Sequence, residues 1–211
     1  MASAVIGDRH DPYGATEGML TRLPDAFRRL FTLNTVRIES PAFTEREMRA
    51  FLAEAVDYER LRLADRLEAD SARLSNLAPS LALPQGGTED SRGWNAHDVL
   101  VHIAVLSKFY GTVTYRVGSG KLSQIELLEA VQARDPAAEQ LSSLPPEQLL
   151  AMVQRDHQRT IEYLRGADAD AMQRRAVLYE GFSMSAAEIA QLPLCAHLEI
   201  HLDQLERALR H

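Results

Sequence analysis

Two histidines four residues apart, His197 and His201, stand in an otherwise apolar, helix-patterned stretch between Ser185 and His211. On a helix, residues at this spacing sit one above the other with about 5–6 Å between Cβ atoms, so two imidazoles can grip one ion. Leu194, His197, His201, Leu205 and Ala208 fall on a single stripe, where a seam facing a core should run. Either each ring is a hydrogen-bonded core residue, or the pair is half of a metal site. Burying an imidazole without partners costs roughly 1–3 kcal/mol, and one shared ion satisfies both lone pairs at once. His102 and His157 extend the pattern, because each lies on the apolar stripe of another helix expected from the sequence. For His157 three roles are open, as ligand, proton carrier or packed residue, and packing is the default for a lone core histidine. Glu59 lies close to the stripe of a further helix, where a carboxylate either reaches a buried site or marks the wet edge of a seam.

Four helices must position these side chains. The last begins at Ser185 with Glu188 three residues on, a capping-box spacing. Its apolar residues recur at Ile189, Leu192, Leu194, Leu198, Leu202, Leu205 and Leu209. Pro193 removes the donor for the Ile189 carbonyl, which predicts a kink or bulge just before His197. The first long helix runs from a Thr44–Glu47 cap to about Leu77, with Phe51, Leu52, Ala55, Val56, Tyr58, Leu63, Leu67 and Leu74 on its apolar side. The second opens at Asn95, an N-cap residue with Asp98 three positions on, and its stripe is Val99, His102, Ile103, Leu106, Tyr110 and Val113. His97, in its first turn and off the stripe, reads as solvated. The third starts at the Pro145–Pro146 pair and runs to about Arg165, with Gly166 as a stop and His157 on its stripe.

The connections carry less. Residues 78–93 are rich in Pro, Gly and Ser, residues 117–145 hold a short helical piece around Leu122–Val131, and residues 167–184 read as a polar loop. Strands have no evident home. The fold expected is therefore all-α, a four-helix bundle spanning residues 44–211. Residues 1–43 form an N-terminal extension with a short amphipathic helix, Leu20 to Phe31, that packs on the main body or on a partner subunit, which leaves a homodimer open.

A length of 211 residues suits one domain with an appendage. A formal net charge of -7 opposes binding to a phosphate backbone, so nucleic acid is not an expected partner. The single cysteine, Cys195, excludes an internal disulfide and a cysteine-rich zinc site. No signal-like start and no run of about 18 apolar residues is found, which points to a cytoplasmic protein without a membrane span.

Gly93–Trp94–Asn95–Ala96–His97–Asp98–Val99–Leu100–Val101–His102 resembles the Trp, cap, acidic, Leu, His signature that opens the second helix of DinB-like proteins. His197–Leu198–Glu199–Ile200–His201–Leu202–Asp203–Gln204–Leu205 resembles the same superfamily's motif on its fourth helix. That superfamily includes DNA-damage-induced proteins and thiol-dependent enzymes such as mycothiol-dependent maleylpyruvate isomerase and bacillithiol transferases. The resemblance implies a metal held by His102, His197 and His201, with three histidines where relatives of the isomerase can carry a carboxylate at the position of His197. An all-histidine set suits zinc, nickel, copper or iron(II). It further implies thiol transfer to a small electrophilic substrate, with a low-molecular-weight thiol as co-substrate and Glu59, His157 or Tyr110 moving protons. Two other readings stand beside it, a metal-dependent hydrolase and a non-enzymatic metal-binding stress protein. Cys195 should point off the metal stripe as a buried bystander.

Overall fold

The computed structural model describes residues 45–82, 94–125, 134–179 and 181–210. The contacts divide the chain into two units, Met1–Ala55 and Val56–His211. Helix α1 (Glu45–Asn76) begins in the first unit and supplies residues 56–76 to the second. The expected extension 1–43, Thr44 of the first cap and the Gly86, Gly87 and Gly93 part of the first connection lie outside the described residues.

Among the described residues the chain is mostly helical, with one small sheet. After α1 come a single turn, α2 (Ala78–Leu81), and the long α3 (Ala96–Gly118). A short α4 (Arg134–Leu141) leads to α5 (Pro146–Gly166), α6 (Ala169–Gln173) and strands β1 (Arg175–Tyr179) and β2 (Phe182–Ser185). The chain closes with α7 (Ala186–Ile189), a π-helical stretch Ala190–Ala196, and α8 (His197–Ala208). No helix among these residues is long and apolar enough to cross a membrane.

Two of the expected caps form among the described residues. Asn95 Oδ1 accepts from the Asp98 amide at 3.0 Å while Asp98 Oδ2 accepts from the Asn95 amide at 3.0 Å, so two orphan donors at the start of α3 are satisfied reciprocally. Ser185 and Glu188 do the same for α7, at 3.1 and 2.7 Å. Pro146 opens α5, where its missing N–H costs nothing.

One core binds the second unit. Leu63, Leu67 and Leu74 of α1, Leu100, Ile103 and Leu106 of α3, Leu149 and Leu164 of α5, and Leu198 and Leu202 of α8 are all fully buried in it. Helix α3 runs closest to α5, and two glycines permit the approach: a Cβ at Gly111 would strike the Thr160 hydroxyl, and one at Gly118 would strike the Tyr163 hydroxyl. Charged pairs fasten α1 along the outside. Arg66 reaches Glu199 at 2.7 Å, Arg73 reaches Asp203 and Glu206, and Arg165 reaches back from α5 to Glu68 at 2.7 Å.

Two expectations are corrected. Residues 167–184 are not a plain polar loop, since they carry α6 and an antiparallel hairpin in which Ala176 faces Met184 and Gly181, at φ 74°, makes the turn. Alternating Ala176, Leu178 and Met184 against exposed neighbours was too short a pattern to stand out. The helical piece around Leu122–Val131 does not start at Leu122: Gln124 bridges Val177 in parallel, and the Ile125 amide donates to the Val177 carbonyl at 2.8 Å. The remainder of that piece, residues 126–133, lies outside the described residues. The hairpin also anchors the last helical segment, because Ser185 ends β2 and caps α7 at once, and the Ala186 amide donates to Arg174 O at 2.9 Å. The sheet thereby fixes where the histidine-bearing segment begins.

Candidate metal centre

Between that start and His197 the helix changes its pitch. Pro193 cannot donate to the turn before it, and the chain adopts π-type bonding over Ala190–Ala196, with the His197 amide donating back to Leu192 O. The expected irregularity is therefore present. Its consequence is a five-residue spacing of buried positions, Ile189 with Leu194 and Ala190 with Cys195. Leu192, one of the recurring apolar residues of the segment, is 58% exposed. After the π turns, ordinary α spacing resumes, and Leu194, Leu198, Leu202 and Leu205 face the core.

This phase sets His197 and His201 opposite His102. One nitrogen from each of the three rings lies within 4.8 Å of the others, with His201 buried and His102 and His197 half-buried. Ring centroids are 4.3 Å apart for His102 and His201, 4.7 Å for His197 and His201, and 5.6 Å for His102 and His197. A shared ion bonded to each nitrogen at about 2.0–2.1 Å places its donors at most about 4.2 Å apart. The cluster is within a small side-chain adjustment of that arrangement, and the donor set fits a divalent transition metal.

Behind His201, the buried Gln204 accepts a hydrogen bond from His201 Nδ1 through its Oε1 at 2.7 Å. The proton is thus held on Nδ1, and Nε2 keeps its lone pair for an ion, the usual division of labour around a metal-bound imidazole. Trp94, just ahead of the α3 cap, covers the cluster with its ring 5.1 Å from His102 and 6.4 Å from His201. On another side Tyr110 stands 6.4 Å from His197, with Phe109 packed edge-on against it at 5.0 Å. Neither Gln204 nor Trp94 was singled out from spacing alone. Gln204 was findable, since i+3 from His201 puts it within side-chain reach on the same helix.

The other candidates sit elsewhere. Glu59 is held by a two-pronged pair with Arg62, at 2.9 and 2.6 Å, on the partly exposed side of α1. His157 is buried against α3, where its Nε2 lies 2.9 Å from the Ser107 hydroxyl and its Nδ1 has no hydrogen-bond partner. Burial pushes its pKa down to about 4, so it is neutral at physiological pH. His97 is not simply solvated, because its Nε2 meets the Ser142 carbonyl at 2.9 Å and ties α3 to the end of α4. Cys195 is fully buried, its Sγ 3.9 Å from the Leu63 carbonyl.

No protein-family model matches the chain, and no curated protein or solved structure matches it either.

Proposed function

We propose that this chain is a DinB-like metal protein, a four-helix bundle whose His102, His197 and His201 hold a divalent transition metal, and that it transfers a low-molecular-weight thiol to a small electrophile or isomerises such a substrate. The observation that carries this reading is the convergence of three imidazole nitrogens with Gln204 fixing the tautomer of one. A bound ion supplies Lewis acidity there and favours the thiolate form of a thiol brought to it.

The chain's own residues do the rest. His102, His197 and His201 bind as neutral imidazoles, and three protein ligands leave further positions to small molecules, as catalytic rather than structural sites do. His102 and His197 are only half-buried as residues, although His102 Nε2 itself is shielded from solvent. Trp94 shields one side from water. Of the three groups named as proton carriers, Tyr110 is the one in ring contact with a ligand histidine, so its hydroxyl is assigned that role. The sulfur nucleophile has to come from outside the chain, since Cys195, the chain's one cysteine, is buried.

Elemental analysis of untagged protein, taken beside a turnover screen with mycothiol, bacillithiol and glutathione against a generic electrophile, tests the reading. Near one metal per chain is expected, lost in His201→Ala and kept in His97→Ala, with turnover that needs both metal and thiol. Turnover without thiol would replace this reading with a hydrolase, and metal without turnover would replace it with a non-enzymatic binding protein. Equal metal in both variants would overturn the ligand assignment itself.

A further inference from the structure

A pocket of about 400 Å³ lies between α3, α4 and α5. Its apolar walls are Val105, Phe109, Val113, Leu122, Leu141 and Met152. That volume falls within the range of about 300–1,000 Å³ typical of small-molecule sites. The polar groups that share the lining are Thr112, Gln140, Lys108 and Arg116, and no carboxylate is among them. Lys108 and Met152 also line a neighbouring groove of about 380 Å³, to which Arg155, Arg159 and Asp156 belong.

The charges along this path are unbalanced. Among the described residues, Lys108, Arg116 and Arg155 make no close ion pair, and Lys108 and Arg155 act on Asp156 only at longer range, whereas the arginines of α1 that face α8 are paired with Glu199, Asp203 and Glu206. Asp156 is the one acid in the groove, half-buried, and Arg159 approaches it only to 3.6 Å. A chain of formal net charge -7 has therefore collected four cations around two carboxylates, Asp156 and the neighbouring Glu162, at the mouth of an apolar pocket. The local excess of positive charge raises the energy of the free protein, and an anion relieves it.

We propose that this is a second ligand site, for a small free amphipathic anion whose apolar body fills the pocket while its carboxylate or sulfonate meets Lys108, Arg155 and Arg159. The pocket alone would accept any apolar molecule of the right size, and the cations select the charged one. None of its lining residues belongs to the histidine cluster. Phe109 of its wall packs on Tyr110 beside His197, but the titration below reads no metal, so the two readings fail separately.

Isothermal titration calorimetry of the full chain with decanoate and with decanol tests the proposal. Decanoate is expected to bind saturably at one site per chain, with decanol at least about tenfold weaker. Lys108, Arg155 and Arg159 are exposed, so reversing all three to Glu should leave the fold and metal content unchanged and weaken decanoate by about tenfold or more. Thr112→Trp, which fills the pocket from its exposed lining, should abolish binding in the same assay. Equal affinity for decanol, decanoate affinity unchanged in the charge-reversed chain, or no saturable heat would each overturn the proposal. So would sedimentation with anionic vesicles by a chain that ignores free decanoate, because the site would then be a membrane contact.

Discussion

Replacing Asp70 by Asn should stabilise this protein at neutral pH, and the size of the gain is set by where the carboxylate lies. Asp70 is on the inner side of α1, 7% exposed, and its Oδ2 accepts no hydrogen bond. Arg66 and Arg73 flank it, but both are committed across to α8, Arg66 to Glu199 and Arg73 to Asp203 and Glu206. Burial and the neighbouring Glu199 outweigh the pull of the two guanidinium groups and raise the Asp70 pKa to about 6, from an ordinary 3.8. The native state therefore binds this proton more tightly than the unfolded chain does. Stability from the protonated acid is complete below about pH 4 and is lost as pH rises through about 6, with a total loss of about 3 kcal/mol at 1.36 kcal/mol per unit. Asn keeps the shape without the charge, so Asp70→Asn should be more stable by up to about 3 kcal/mol at pH 7.5 and near-neutral at pH 4. For a chain of this size that corresponds to a melting-temperature gain of about 6–12 °C at pH 7.5. Melts followed by circular dichroism at both pH values, wild type beside variant, measure the difference and cancel contributions from other groups. A variant less stable than wild type at pH 7.5 would refute the reasoning, since Arg66 and Arg73 would then be stabilising the carboxylate more than burial opposes it.

Other perturbations bear on the centre and the packing. Gln204→Leu should lower metal affinity by about 10–100-fold by releasing the His201 tautomer, while Gln204→Glu keeps an acceptor and the affinity; competition against a chromogenic chelator reads both. Gly118→Ala should cost about 1–3 kcal/mol, because its Cβ would collide with the Tyr163 hydroxyl, and Tyr163→Phe in the same chain should recover part of that loss in a thermal melt. The Cys195 thiol, fully buried, should react with a disulfide reagent only as fast as the protein opens, and denaturant should expose it at once; fast reaction in the native state would contradict its placement.

Most of the helical frame was legible in the chain because its signals are local. A cap such as Asn95–Asp98 acts over four residues, and the spacing of Leu149, Val153, His157, Ile161 and Leu164 already says which side of α5 turns inward. Pro193 announced a disturbed turn by its chemistry alone. What it could not announce was the direction of the disturbance: π bonding shifted the helix phase, exposed Leu192 and kept Leu194 inside. The hairpin at Arg175–Ser185 was missed for a related reason, since β1 is fixed by pairing with Gln124 as well as with β2, and such long-range pairing leaves little mark on a five-residue strand.

The sequence by itself determined which histidines face inward, because a helix repeats every 3.6 residues and His102, His157, His197 and His201 each fall on an apolar stripe. It could not decide which inward histidines meet. Only the packing of α3 against α8 brought His102, His197 and His201 within 4.8 Å, and only the packing of α3 against α5 gave His157 to Ser107 instead. Periodicity orients a side chain about its own helix axis, whereas contact depends on the rotation, height and crossing of two helices, which many distant residues set together.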